Sequence, residues 1–118
     1  MGSQNTSAIR KALAVCKAVA DGDFESRVTN ITERGEAGEM LHALNLLIDR
    51  TDAYVRESTA SMDYVRKNQY FRRIVERGMK GGFLNAARVI NQATETIDGR
   101  VTEFGRVADD FERNMKAI

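Results

Sequence analysis

Apolar residues in the last third of the chain recur at every seventh position. One series is Ile90, Ile97, Phe104, Phe111 and Ile118, and a second series between them is Ala87, Thr94, Val101, Ala108 and Met115. Two interleaved series of this kind are the heptad pattern of a coiled coil, in which a narrow seam of one helix packs on another helix. The pattern predicts a helix over residues 82–118, about 55 Å long at about 1.5 Å per residue.

The middle of the chain carries a similar pattern. Small or apolar residues alternate in steps of three and four from position 37 onward: Ala37, Met40, Leu44, Leu47, Thr51, Tyr54 and Ser58. This spacing also predicts a coiled-coil seam, in a helix that begins near Glu36. Because no helix-breaking residue stands between Gly38 and Asn68, we expect this helix to continue through Met62 and Val65.

The first helix is predicted to be short. Its apolar stripe is Ile9, Leu13, Cys16 and Ala20. Thr6 or Ser7 is expected to cap its start, and Gly22 is expected to end it in a left-handed conformation. A polar connector then extends to Gly35, and its two apolar residues, Phe24 and Val28, are expected to pin it to a neighbouring helix.

The sequence repeats itself at an offset of 46 residues. The pairs include Val19 and Val65, Gly22 and Asn68, Phe24 and Tyr70, Arg27 and Arg73, Val28 and Ile74, Gly35 and Gly81, and Leu44-Asn45 and Ile90-Asn91. No gap is needed along this register. The repeat predicts two tandem units, residues 7–56 and 57–101, followed by an exit helix over 102–118. The second connector, roughly residues 69–81, has Tyr70 and Ile74 as its apolar pins.

Each predicted unit is too small to be stable alone. Two amphipathic helices leave most of each stripe in water, which does not offset the entropy lost on ordering them. A connector of about a dozen residues spans some 40 Å at about 3.3 Å per residue, enough to start the next helix in the same direction. The predicted fold is therefore all-α: parallel four-helix coiled-coil bundles formed by a homodimer, with two units stacked end to end through continuous helices.

Composition and charge narrow the functional classes. Charged residues make up 30% of the 118 positions, the net charge is +1, and proline is absent. Nucleic-acid binding is not expected, because it needs a clustered excess of Lys and Arg. No apolar run reaches the roughly 18 residues of a membrane span. A single cysteine favours a reducing, cytoplasmic setting.

No catalytic or metal-binding pattern emerges. Asp21, Asp23 and Glu25 do not continue into a calcium loop, because Ser26 and Thr32 stand where glycine and glutamate are needed. His42 is interpreted as a partly exposed helix residue and Cys16 as a seam residue. The sequence predicts no enzyme activity, no cofactor and no metal. One alternative stays open: a helical-bundle sensor that holds a small ligand or haem between its helices. A purely structural coiled-coil spacer is a weaker alternative.

Several segments resemble the HAMP domain of bacterial receptors. The second helix opens with Glu36-Ala37-Gly38, followed by Met40 and Leu44-Asn45, at the spacing of the family pattern. The first helix ends in Ala20-Asp21-Gly22-Asp23-Phe24, similar to the family's ending. The second unit departs from the pattern, with Gly82 in place of the glutamate, although Asn91 remains. In this resemblance Glu36 ties the connector to the bundle.

The residues from Val107 to Asn114 resemble the entry into the signalling hairpin of methyl-accepting chemotaxis proteins. Together the resemblances imply a di-HAMP segment that passes a change of helix packing from an upstream sensor domain to a downstream signalling domain of the same chain. The residues expected to carry this relay are Gly22, Phe24, Val28, Glu36, Met40, Leu44, Asn45, Thr51, Tyr70, Ile74, Ile90, Asn91, Thr94 and Ile97.

Overall fold

The structure, a computed structural model that describes residues 2–117, consists of three helices. Helix α1 spans Gly2–Ala20, α2 spans Gly35–Arg66 and α3 spans Gly81–Ala117. No strand is present within residues 2–117, so the predicted all-α class is confirmed. The long, uninterrupted middle helix expected from the absence of breakers is confirmed as well.

The start of α1 differs from the prediction. Thr6 and Ser7 do not cap the helix, because α1 already begins at Gly2. The Thr6 hydroxyl donates to the carbonyl of Gly2 at 2.7 Å, within the helix, and the Ser7 hydroxyl donates to the carboxylate of Glu33. Both hydroxyls therefore have partners other than the free amides of a helix start.

The chain divides into two compact units, Met1–Val55 and Arg56–Ile118. In the first unit α1 and α2 run in the same direction. Gln4, near the start of α1, exchanges hydrogen bonds with the backbone of Arg34, which precedes α2. Arg27, in the connector beyond the end of α1, reaches Asp49 in the middle of α2. The connector thus returns along the pair of helices, as the sequence predicts.

The core of the first unit uses residues at seven-residue spacing from both helices. Its buried members are Ala8, Val15, Val28, Leu41 and Ile48. Val28 is the only one of these five from the connector, and its expected role as an apolar pin agrees with this burial.

Only part of the stripes expected to pack is buried within one chain. Ala37 and Leu44 pack against the first core, and Ala87 and Thr94 are buried. Ile9 and Leu13 of α1 are 61% and 51% exposed, and Met40 and Leu47 of α2 are 44% and 56% exposed. Heptad spacing alone does not distinguish neighbouring stripes, and here the adjacent one packs within the chain. Each helix therefore has two apolar stripes, of which one faces inward and the other lies open.

The second unit buries four of the five core positions of the first unit, displaced by 46 residues, while Tyr54, the counterpart of Ala8, is half-buried. Ser61, Ile74, Ala87 and Thr94 are buried, and they correspond to Val15, Val28, Leu41 and Ile48 of the first unit. The geometry of the repeat is therefore preserved, while the side chains that fill it are smaller or more polar at three of the four positions.

The C-terminal half of α3 has its apolar residues exposed. No described residue after Asp98 is buried. Five large side chains there expose half of their surface or more: Val101, Phe104, Val107, Phe111 and Met115. Ile118, the last member of the predicted seven-residue series, lies outside the described residues.

Gly38 permits the connector to approach α2 closely. A Cβ atom at this position would lie 2.2 Å from the carbonyl oxygen of Glu33, far inside contact distance, and the obstacle is backbone rather than a flexible side chain. The connector can reach its position only because residue 38 has no side chain. In the second unit Leu84 stands at the equivalent position.

Replacing Gly38 with alanine is expected to destabilise the chain by about 1–3 kcal/mol, since the backbone of Glu33 must move away. Gly99→Ala is the matched control, because a Cβ there meets nothing within 4 Å and α3 is helical at this residue. That control is expected to stabilise by up to about 1 kcal/mol. Urea denaturation at one fixed protein concentration measures both, and equal effects would contradict the close approach.

Candidate functional site

Both connectors leave their helices by the same turn. Gly22 has a φ of 98° and Asn68 has a φ of 61°, and asparagine is among the few residues other than glycine that tolerate this left-handed region. The next amide in each case, that of Asp23 or Gln69, donates at 2.9 Å to the carbonyl five residues earlier. Asn68 therefore replaces glycine without changing the path of the chain.

An asparagine on the following helix then holds each connector by its backbone. In the first unit, Oδ1 of Asn45 accepts from the amide of Val28 at 2.8 Å, and Nδ2 of Asn45 donates to the carbonyl of Val28 at 3.0 Å. In the second unit, Asn91 makes the same two bonds to Ile74, also at 2.8 and 3.0 Å. We call each pair of bonds the asparagine clamp.

The asparagine clamp satisfies backbone groups that have no ladder of their own. An isolated extended segment lacks helix or sheet partners, and its buried amide and carbonyl must find other groups. A carboxamide offers one acceptor and two donor hydrogens, so it pairs with both backbone groups of one residue at once. The clamp thereby also places the side chains of Val28 and Ile74 in the two cores.

Arginine residues fix each connector next to its clamp. Arg27 pairs with Asp49 at 2.8 Å and lies 4.0 Å from Asp52. Arg73 lies 3.9 Å from Asp98, which is the position equivalent to Asp52. These pairs are partly exposed, and pairs of this kind contribute little to stability, about 0–1 kcal/mol. Their role here is to orient the connector along the helix.

The end of the first connector is bound to α1 by a set of contacts around Glu33, which we call the Glu33 network. Ser7 donates to Glu33 at 2.7 Å, and Nζ of Lys11 lies 2.9 Å from the same carboxylate. Lys11 also donates to the carbonyl of Asn30 at 2.7 Å. Gln4 completes the network through its two bonds to the backbone of Arg34, both at 3.1 Å.

The Glu33 carboxylate is almost fully covered, with 2% of its side chain exposed. The hydrogen bond from Lys11, followed by that from Ser7, lowers the pKa of Glu33 from 4.5 to about 2. The ionised form is thus the one that the folded chain stabilises.

The role that the resemblance implies for Glu36, tying the connector to the bundle, stays a prediction. Glu36 lies exposed in the first turn of α2, whereas Glu33, three residues earlier in the connector, makes the contacts that hold the connector to the first unit. Glu33 was not singled out from the sequence, because nothing in the spacing of the connector distinguishes one acidic residue from another. The signal available was the serine and lysine at positions 7 and 11, which share a face of α1.

The second unit holds its connector at a different point. The Glu57 carboxylate binds the Arg72 guanidinium through two bonds, at 3.0 and 3.2 Å, and accepts from the amide of Val75 at 3.1 Å. The hydroxyl of Ser61 donates to the carbonyl of Arg72 at 2.9 Å. The hydrogen bonds from Arg72 and Val75 lower the pKa of Glu57. The carboxylate lies on the helix here, whereas in the first unit it lies on the connector.

The remaining residues predicted for the relay fall into three groups by burial. The half-buried ones are Phe24, Leu44, Thr51, Tyr70 and Ile90, of which Leu44 packs against the first core. Met40 and Ile97 are exposed, and Thr94 is buried. The structure therefore brings the connector residues together with the two asparagines and leaves part of the predicted seam uncovered within one chain.

The two side chains considered as haem or metal ligands lie on the surface of the chain. His42 and Cys16 are both exposed. Within residues 2–117, no three His, Cys, Asp or Glu side chains are grouped as a metal site requires. In the same range, no helix is both long and apolar enough to cross a bilayer.

Replacing Asn45 with leucine is expected to destabilise the chain by about 1–3 kcal/mol, because the buried amide and carbonyl of Val28 lose their partners. Asn91→Leu is expected to do the same in the second unit. Asn85→Leu is the matched control on the exposed surface of α3 and is expected to change stability by less than about 0.5 kcal/mol. Denaturation of all three variants at one concentration tests this, and a harmless Asn45→Leu would mean that the clamp is incidental.

The Glu33 network predicts a specific dependence of stability on pH. Because the pKa of Glu33 is about 2 in the folded chain and 4.5 in its unperturbed state, the ionised carboxylate stabilises the fold above pH 4.5. That stabilisation is lost as the pH falls toward 2. Glu33→Gln is therefore expected to flatten the loss of stability between these two pH values. Glu36→Gln, at an exposed position, serves as the control, and an identical flattening by both variants would refute the assignment.

Comparison with known proteins agrees with this architecture. Residues 6–53 match the HAMP domain family. Over 93 residues the chain is 32% identical to the methyl-accepting chemotaxis protein Amb0994 of Paramagnetospirillum magneticum (strain ATCC 700264 / AMB-1), which covers 79% of this chain and 21% of that protein. The chain thus spans about a fifth of the length of this relative. No solved structure matches it. The residues that form the first connector and its clamp therefore lie within the segment that matches the HAMP domain family, in a chain that is similar to a chemoreceptor.

Proposed function

We propose that the chain is a non-catalytic signal-relay segment of a chemoreceptor, made of two HAMP-like units, residues 7–56 and 57–101, and an exit helix over 102–118. It acts as a parallel homodimer in the cytoplasm, between a sensor domain and a signalling domain of the same receptor. The observation that carries the proposal is the asparagine clamp, made twice with the same geometry at an offset of 46 residues.

The repeated clamp supports a second HAMP-like unit beyond the matched residues 6–53. Four features recur at the offset: the left-handed residue after the helix, the clamp, the arginine next to it and the left-handed glycine that begins the next helix. Those glycines are Gly35 and Gly81, with φ of 63° and 54°. A repeat in the amino-acid sequence does not by itself require that both units form the same hydrogen bonds. The matching bonds therefore support the proposal that both units have the same fold.

The uncovered apolar stripes support a second copy of the chain. Large apolar residues are exposed on all three helices, among them Ile9 and Leu13 of α1, Met40 and Leu47 of α2, and Phe104 and Phe111 of α3. Removing such surface from water is favourable by about 25 cal/mol per Å². Two identical chains with parallel helices would cover these stripes with each other, and a closed twofold pair leaves no stripe open for further growth.

A relay needs two packings of similar free energy. Several residues of the predicted seam are small or polar: Ala20, Ala37, Thr51, Ser58, Ala87, Thr94 and Ala108. Such side chains stabilise any single packing less than leucine or isoleucine would. An upstream signal then favours one packing over the other, and the continuous helix α2 passes the change from the first unit to the second.

Thr51→Ile in the full receptor is expected to hold one packing and abolish the response to stimulus. Thr51 is half-buried in α2, its hydroxyl bonds back to the carbonyl of Leu47 at 2.8 Å, and isoleucine already occupies the equivalent position 97. The signalling output is measured across a range of stimulus. Thr96→Ile, on the exposed surface of α3, is the control and is expected to respond normally. A normal response from Thr51→Ile would contradict the loosely packed seam.

A further inference from the structure

The two units differ in how firmly they are held together, and we propose that the second unit is the one that rearranges while the first stays ordered. This inference rests on the relay function proposed above and adds the place at which the packing changes. The 46-residue repeat gives residues of one unit a counterpart in the other. The two units differ at these counterparts in the buried core and at the end of the connector.

The first comparison concerns the buried core. Val15, Leu41 and Ile48 fill the first unit, whereas Ser61, Ala87 and Thr94 occupy the same positions in the second. All six residues are buried, so the difference lies in the side chains and not in their exposure. Less apolar volume at the same positions means fewer dispersion contacts and less surface removed from water. At these three positions the core of the second unit is therefore the weaker of the two, although Ile74 is larger than its counterpart Val28.

The two hydroxyls of that core are satisfied by local backbone groups. Ser61 donates to the carbonyl of Arg72, and Thr94 donates to the carbonyl of Ile90 at 3.0 Å, within its own helix. Neither is an unpaired polar group, so the folded unit tolerates them. Neither bond links α2 directly to α3.

The second comparison concerns the end of each connector. In the first unit the Glu33 network joins this end to α1, and Gly38 lets the backbone of Glu33 settle against α2. At the positions equivalent to Gln4, Ser7 and Lys11 stand Arg50, Ala53 and Glu57, and at those of Glu33 and Gly38 stand Met79 and Leu84. None of these substitutions preserves the chemistry of the network.

The second unit instead fixes the middle of its connector, where Glu57 binds Arg72 and Val75. The residues just before α3, including Arg77, Gly78 and Lys80, are exposed. The start of α3 therefore has no counterpart of the Glu33 network at the equivalent positions. Segments with fewer buried contacts open more readily, so both comparisons place the softer region in the same unit.

Two matched amides report the difference directly. The amides of Val28 and Ile74 each donate to an asparagine Oδ1 at 2.8 Å, each is buried, and each follows an arginine, so their intrinsic exchange rates are similar. Hydrogen exchange of the whole chain, followed by NMR, is expected to show Ile74 exchanging at least about tenfold faster than Val28. Exchange of Ile74 as slow as that of Val28, or slower, would overturn the inference.

Swapping the core residues between the two units tests whether the core causes the difference in hydrogen exchange. Three substitutions give the second unit the core residues of the first: Ser61→Val, Ala87→Leu and Thr94→Ile. Together they are expected to slow hydrogen exchange of the Ile74 amide at least about tenfold. Exchange of the Val28 amide is expected to change by less than about threefold. The reverse set of substitutions is expected to speed hydrogen exchange of the Val28 amide instead: Val15→Ser, Leu41→Ala and Ile48→Thr. If the triple variant does not fold, the single variant Thr94→Ile is expected to slow hydrogen exchange of the Ile74 amide by a smaller factor. Unchanged exchange in that variant would contradict the assignment of the second unit as the softer one.

The outcome separates this inference from the proposed function. If both amides exchange equally but Thr51→Ile still abolishes the response of the full receptor, the relay stands and the assignment of the softer unit is wrong. If Ile74 exchanges faster but Thr51→Ile signals normally, the units differ in stability and the relay proposal is the part that fails.

Discussion

The fold of each unit depends on one carboxamide that holds one residue of a connector by both of its backbone groups. A helical protein ordinarily satisfies its backbone within the helices, and a connector that runs along them has no such ladder. Asn45 and Asn91 supply the missing partners for Val28 and Ile74. With the connector fixed, the two helices of a unit must run in the same direction, and one apolar stripe of each is covered while the other faces away from its own chain.

The sequence predicts this arrangement where periodicity or repetition carries the information. The uninterrupted α2, the 46-residue repeat and the apolar pins Val28 and Ile74 all follow from spacing and from the absence of breakers. The pairing of Leu44-Asn45 with Ile90-Asn91 places both clamp residues correctly, although periodicity alone does not reveal that a carboxamide bonds to the connector.

The parts that could not be predicted depend on which neighbouring stripe or side chain makes a contact. Stripes containing Ile9 or Ala8 are equally compatible with the heptad spacing, and only packing against the connector selects the second. Similarly, Glu33 and Glu36 are both acidic residues near the start of α2, and only the position of Ser7 and Lys11 across the unit decides between them. The predicted start of α1, at Thr6 or Ser7, is wrong, since the helix begins at Gly2. The hydroxyls of Thr6 and Ser7 have partners other than the amides of the helix start.

Covering the inner stripes leaves the outer ones exposed on a single chain, and we propose that a second copy of the chain covers them. Sedimentation equilibrium of the chain over a wide range of concentration tests it most directly. The account predicts a species of about twice the 13.2 kDa of one chain. A compact species of 13.2 kDa that persists at every concentration would contradict it.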